Sequence, residues 1–120
     1  MKKCLIVDDV EVTRFTIEQI IAALGLEFFA AATAEEAMDI LKKNTIDVIF
    51  LDWHLRKKSG LDLLKEIKTV FGSRVRVVVF SGIEGPDKLV EAKQAGADIF
   101  LEKPTTRQKL EKCLKELGAL

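Results

Sequence analysis

Short, continuous runs of apolar residues alternate along this chain with segments whose apolar residues recur at helical spacing. Such runs are typical of strands buried on both faces, as in a parallel sheet covered by helices on both sides. Successive strand–helix units require right-handed crossovers, which leave all the strands pointing the same way. The pattern occurs five times and predicts an α/β fold, a doubly wound five-stranded parallel sheet in (βα)5 order.

Caps and chain breakers set the limits of these elements. Gly25 ends the first helix, Thr33 and Glu36 form a capping box for the second, and Asn44 is expected to end it in a left-handed conformation. Pro86, after Gly85, suits the first position of the fourth helix. Strands are predicted at 4–7, 26–32, 46–51, 75–80 and 99–101, and helices at 11–24, 34–43, 60–71, 86–96 and 105–117.

Length and composition narrow the class of protein. The 120 residues suit one domain, 1–120, and the 19 basic residues balance 19 acidic ones, which gives no case for direct nucleic-acid binding. No apolar run is long enough to cross a membrane and no signal peptide opens the chain, so a cytoplasmic location is expected. Cys4 and Cys113 lack CxxC spacing, and we expect two reduced, half-buried thiols.

Polar side chains stand where the predicted strands end. Because the carboxyl ends of parallel strands meet at one edge of the sheet, these side chains should collect there, where α/β sheets bind ligands. Each alone has an ordinary explanation, as a helix cap or a turn, but their joint placement favours a site. The set comprises Asp8, Asp9, Asp52, Ser81 and Lys103.

Three crowded carboxylates repel one another and require a cation. Oxygen ligands without histidine nitrogen or thiolate favour a hard ion, and Mg²⁺ with phosphate oxygens fits best. Lys103 can pair with a phosphoryl oxygen, and Ser81 can donate to one. An aspartate can itself accept the phosphoryl group, and Asp52 is the central candidate.

The motifs "LIVDD", "VIFLDW" with Gly60 downstream, "VVVFSG" and "ADIFLEKP" follow one another in order. Together they resemble the receiver domain of two-component response regulators, over essentially the whole chain. The Asp52–Trp53 pair resembles the chemotaxis receiver in particular. The resemblance implies a flavodoxin-like fold with strand order 2-1-3-4-5.

The resemblance also implies a role for each site residue. Asp52 is the phosphoacceptor, and Mg²⁺ is held by Asp8, Asp9, Asp52 and the backbone carbonyl of His54. Ser81 and Lys103 bind the phosphoryl oxygens, Ser81 and Phe100 form the switch, and the Lys103–Pro104 peptide bond is cis. The assigned residues are Asp8, Asp9, Asp52, His54, Ser81, Phe100, Lys103 and Pro104.

Some positions depart from the family pattern. Arg56 stands where the family often has proline, which makes the loop basic; we interpret its charges as a solvated run rather than a docking site for an acidic partner. Phe100 replaces the more frequent tyrosine and can signal only by packing. The side chain of His54 either lines the pocket mouth or is simply exposed, and Ile83 is expected across the same mouth.

We therefore expect a phosphorylation-activated switch, not an enzyme, that receives its phosphoryl group from a histidine kinase or phosphotransfer protein. Output is expected through protein contacts on the face of the fourth helix, fifth strand and fifth helix, with Lys88, Glu91, Gln108 and Lys112. The chain is read as stand-alone, a monomer or a phosphorylation-dependent dimer. A fragment of a larger regulator, a pseudo-receiver interaction module and a Mg²⁺-dependent phosphohydrolase are the alternatives.

Overall fold

Five parallel strands alternate with five α-helices in the computed structural model, which describes residues 2–82 and 86–120. Ile83 and Gly85, to which the sequence assigned roles, lie outside the described residues. None of the described helices combines the length and hydropathy that a membrane crossing requires.

The elements are β1 Lys3–Val7, α1 Glu11–Ala23, β2 Glu27–Ala31, α2 Ala34–Lys43, β3 Val48–Asp52, α3 Gly60–Phe71, β4 Arg76–Ser81, α4 Pro86–Gln94, β5 Ile99–Glu102 and α5 Arg107–Glu116, with a 3₁₀ turn at Gly72–Arg74.

The strands form one sheet in the order β2-β1-β3-β4-β5, and the predicted (βα)5 fold and strand order are confirmed. Side chains alternate between the two faces of each strand, so each face has its own apolar layer. In β3, Ile49 and Leu51 pack with α2 and α3, while Val48 and Phe50 pack with α1 and α5. Burial on both faces explains why the strands read as continuous apolar runs.

The helix ends confirm some of the predicted caps and correct others. Gly25 has a φ of 80° beyond α1, and Thr33 accepts a hydrogen bond from the Glu36 amide at 3.1 Å. The Glu36 carboxylate, however, accepts from the Ala32 amide at 3.0 Å and not from the Thr33 amide that a capping box uses. The left-handed conformation predicted for Asn44 is wrong, since its φ of −136° and ψ of 150° are extended. Its backbone and side-chain amides both donate to the Ile40 carbonyl, so the helix end is capped without a left-handed turn.

Both cysteines are free thiols and are fully buried rather than half-buried, Cys4 on β1 and Cys113 on α5. Burial raises the pKa of each thiol to about 12, helped by Asp47 for Cys4 and by Glu116 for Cys113. Because the thiolate is the reactive form, we expect a thiol reagent at pH 8 to modify both cysteines only as fast as the protein unfolds. Labelling with and without urea checks this, and rapid labelling of native protein would contradict it.

Candidate functional site

Three carboxylates meet at the carboxyl edge of the sheet. Oxygen atoms of Asp8, Asp9 and Asp52 all lie within 4.8 Å of one another. Asp8 and Asp9 directly follow β1, and Asp52 is the last residue of β3, the strand beside it. The predicted convergence of these three residues is therefore present, although β3 ends one residue later than the sequence indicated.

Asp8 is completely buried, and only half of its carboxylate has a partner. Its Oδ1 accepts a hydrogen bond from the Val10 amide at 2.8 Å, while its Oδ2 has none. Burial raises the pKa of Asp8 to about 6, and the Asp52 carboxylate adds to the rise, against the Val10 amide and Lys103. A buried carboxylate oxygen without a donor is costly and fits a cation ligand.

Asp52 is 2% exposed, and each of its oxygens has a donor. The His54 amide donates to Oδ1 at 3.1 Å, and the Lys103 ammonium donates to Oδ2 at 3.3 Å. The same ammonium lies 5.4 Å from the centroid of the Phe80 ring, a cation–π contact that orients it. The Lys103–Pro104 peptide bond that follows is cis. Asp52 thus lies between a positive group and two negative ones.

Ser81 lies on β4, the strand next to β3, and Phe100 lies on β5, the strand beyond β4. Ser81 is fully buried at the end of β4, one residue beyond Phe80, which is the register partner of Asp52. Phe100 on β5 is half-buried, and its ring meets that of Trp53 edge to face with centroids 6.3 Å apart. Trp53 is 5% exposed and belongs to the core. The aromatic pair therefore joins β5 to the residue after Asp52.

Arg56 makes a contact that sequence reasoning missed. Its backbone N–H donates to Asp9 Oδ2 at 3.1 Å, and its guanidinium Nε lies 3.3 Å from the same oxygen. The basic run was interpreted as solvated. Arg56 and Lys57 are both exposed, but the guanidinium of Arg56 also pairs with the Asp9 carboxylate. The replacement of proline was the available signal, because proline has no N–H to donate.

Gly60 allows α3 to begin directly against the backbone of the site. Its amide donates to the Trp53 carbonyl at 2.8 Å. A Cβ atom at this position would lie 2.5 Å from the Asp52 carbonyl oxygen and 2.7 Å from Trp53 Cα. These neighbours are backbone atoms that cannot rotate away, so the first turn of α3 fixes the segment that follows Asp52.

We expect Gly60→Ala to destabilise the protein by about 1–3 kcal/mol, because the added methyl group must push α3 from this backbone. Gly82→Ala is the matched control at the same edge, since no atom of the residues that the structure describes would lie within 4 Å of its Cβ. It should change the free energy of unfolding by less than about 0.5 kcal/mol. Urea unfolding followed by Trp53 fluorescence measures both, and equal stabilities for the two variants would contradict the prediction.

Comparison with known proteins places this geometry in a family. The family described as "Response regulator receiver domain" matches residues 4–115. The sporulation initiation phosphotransferase F of Bacillus subtilis is 31% identical over 103 residues, covering 86% of this chain and 82% of that protein. The sensory/regulatory protein RpfC of Xanthomonas campestris is 30% identical over 119 residues. This match includes 97% of the chain but only 16% of the length of RpfC.

Solved structures agree with the sequence matches. The chemotaxis protein CheY4 of Vibrio cholerae superposes with a TM-score of 0.92 at 27% identity, covering 98% of each chain. A receiver domain protein from Clostridium thermocellum gives 0.90 at 29% identity, covering 98% of this chain and 94% of that one. With the family matching nearly the whole chain, and acidic side chains meeting at the carboxyl edge of a 2-1-3-4-5 sheet, this chain belongs to the response regulator receiver domains, the non-enzymatic phosphoacceptors of two-component signalling.

Proposed function

We propose that this protein is a phosphorylation-activated switch in which Asp52 accepts a phosphoryl group from a histidine kinase or phosphotransfer protein. The observation that carries the proposal is the buried Asp52 carboxylate, which lies between the Asp8 and Asp9 carboxylates and the Lys103 ammonium. An acceptor needs one negative oxygen as nucleophile and positive groups for the incoming phosphate. A divalent cation would balance the negative charge of the Asp8 and Asp9 carboxylates beside Asp52.

Mg²⁺ is the ion we propose, held by the carboxylates of Asp8, Asp9 and Asp52 and by the backbone carbonyl of His54. The residues fit it because every ligand is an oxygen and because Asp8 Oδ2 is buried without a donor. When bound, the ion neutralises charge on the phosphoryl oxygens as the new bond forms. The backbone of His54 is already held beside Asp52 by its amide, which donates to Oδ1.

The protein's own residues carry the remaining steps. An Asp52 oxygen attacks the phosphorus, the bond from phosphorus to the donor atom breaks, and the donor leaves with that electron pair. Lys103 then exchanges its bond to Asp52 for one to a phosphoryl oxygen, and Ser81 donates to another. Movement of Ser81 frees space that Phe100 enters from its half-buried position beside Trp53, which links phosphorylation to the surface of β5.

The output surface we propose is the α4–β5–α5 face, which binds an unidentified protein. Lys88, Gln108 and Lys112 are exposed there, and half-buried Glu91 pairs with Lys88 at 3.7 Å. Leu89 and Val90 on α4 are 37% and 51% exposed and add apolar area. No direct nucleic-acid contact is proposed, because the net charge is zero.

The chain is proposed to act as one receiver domain, 1–120, in the cytoplasm, as a monomer or a phosphorylation-dependent dimer. Two kinds of relative match the chain. The match includes 82% of the length of phosphotransferase F but only 16% of the length of RpfC. Relatives of the second kind support the alternative in which this receiver is one part of a larger regulator.

Acetyl phosphate with Mg²⁺ tests the proposal, with intact mass and Trp53 fluorescence as readouts. We expect one labile phosphoryl group per chain, no product after chelation of the metal, and a fluorescence change that beryllofluoride reproduces. A pseudo-receiver would show neither change. A phosphohydrolase would consume many equivalents of substrate, and either result would refute the switch.

A further inference from the structure

Arg56 makes both of its contacts with a single oxygen of Asp9. The backbone N–H and the guanidinium Nε approach Oδ2 at 3.1 and 3.3 Å. The Asp9 side chain is 12% exposed while that of Arg56 is 81% exposed, so a largely solvated arginine pairs with a largely buried carboxylate. A backbone N–H and a guanidinium on one oxygen satisfy it before any cation arrives.

Asp8 and Asp9 therefore differ in what they offer to a cation. Asp8 Oδ2 is buried with no hydrogen-bond partner, whereas Asp9 Oδ2 is occupied by Arg56. Oxygens of both belong to the same cluster, within 4.8 Å of each other and of an Asp52 oxygen. A divalent ion that uses Asp9 Oδ2 must displace the guanidinium, since two cations on one oxygen repel each other.

Proline at this position would make neither contact. It has no N–H to donate and no charge. Both contacts with Asp9 thus depend on Arg56, the residue that stands where the family often has proline. A lysine in its place would keep the amide bond but would lose the planar guanidinium.

We infer that Arg56 is a positioning residue that competes with the divalent ion for Asp9 and so raises the Mg²⁺ concentration at which the switch becomes competent. The inference rests on the proposed function, because it concerns the ion of that site. The competition acts on metal binding and leaves the attack by Asp52 unchanged once the ion is bound. Half-saturation by Mg²⁺ should change on loss of Arg56, and the maximal rate of phosphorylation should not.

Calorimetric titration of the full chain with Mg²⁺ alone tests this with three variants. Arg56→Gln removes the guanidinium and keeps the amide, and Arg56→Pro removes both donors. Lys57→Gln is the matched control, because it removes the same charge from the same exposed loop and leaves Arg56 with Asp9. If proline disturbs the loop, Arg56→Gln still tests the loss of the guanidinium, because glutamine does not restrict the backbone.

We expect Arg56→Pro to bind Mg²⁺ about three- to tenfold more tightly and Arg56→Gln about two- to threefold, in the range of an exposed ion pair. Lys57→Gln should stay within twofold of the parent protein. The NMR signal of the Arg56 amide should shift on Mg²⁺ titration of the parent. Equal gains in Lys57→Gln and Arg56→Gln, or no gain in either Arg56 variant, would overturn the inference.

Phosphorylation by acetyl phosphate separates this inference from the proposed function. If the Arg56 variants bind Mg²⁺ more tightly but Asp52 takes no phosphoryl group at saturating Mg²⁺, the competition stands and the switch fails. If Asp52 is phosphorylated with the same half-saturating Mg²⁺ in all variants, the switch stands and the competition fails. Absence of Mg²⁺ binding in every protein would overturn the competition and remove the proposed ion from the switch.

Discussion

Replacement of Asp52 by asparagine is expected to abolish phosphoryl incorporation from acetyl phosphate. A carboxylate oxygen can displace acetate from the phosphorus and keep the phosphoryl group as an acyl phosphate, whereas a neutral amide is too weak a nucleophile to do so. Intact mass after incubation with Mg²⁺ should show one added phosphoryl group in the parent and none in Asp52→Asn.

Asp62→Asn is the control for this variant. Asp62 is an exposed carboxylate in the first turn of α3, so its loss changes the charge equally without touching the site. It should accept the phosphoryl group at the parent rate. Phosphorylation of Asp52→Asn to the parent level would show that the acceptor has been misassigned.

Asp8→Asn is expected to stabilise the protein in the absence of metal. The Asp8 carboxylate is fully buried beside Asp52, and one of its oxygens has no donor. An amide carries no charge to desolvate, and its NH₂ can donate to the Asp52 carboxylate that Asp8 repels. The Asp8 carboxylate therefore lowers the stability of the metal-free protein, as expected of a residue whose role is to bind a ligand.

The sign of the pH dependence follows from the raised pKa of Asp8. Burial moves this pKa from the ordinary 3.8 to about 6, so the folded protein holds the proton more tightly than the unfolded chain. Stability from this group is fully present below pH 3.8 and is lost as the pH rises to about 6. The loss between pH 4 and pH 7 amounts to about 2–3 kcal/mol. Asp8→Asn should therefore be more stable than the parent at pH 7 by about this amount, and nearly equal to it at pH 4.

Urea unfolding in the presence of a chelator, at pH 4 and pH 7, measures both effects. Added Mg²⁺ should reverse the ranking at pH 7, because an ion that binds only the folded parent stabilises it and has lost a ligand in the variant. Asp39→Asn, an exposed carboxylate on α2, serves as the control and should change stability little at either pH. A less stable Asp8→Asn at pH 7 without metal would show that Asp8 supports the fold instead of a ligand.

The family and the order of its elements were readable from the sequence for a physical reason. Strands buried on both faces must be apolar throughout, and helices on a sheet must be apolar on one side, so the two periods alternate visibly. Parallel strands also bring their carboxyl ends to one edge, which predicted that Asp8, Asp9 and Asp52 would meet. These inferences need only local pattern and the direction of the chain.

The tertiary structure decided what depends on distances between segments remote in sequence. Asn44 is extended because its amides reach back to Ile40, and Gly60 is required by backbone atoms of Trp53 that no local pattern reveals. The link between Arg56 and Asp9 spans 47 positions, and the burial that raises the pKa of Asp8 comes from the packed chain around it. Sequence periodicity thus determined which residues share an edge of the sheet, while packing alone decided which of their oxygens have donors and which is left for an ion.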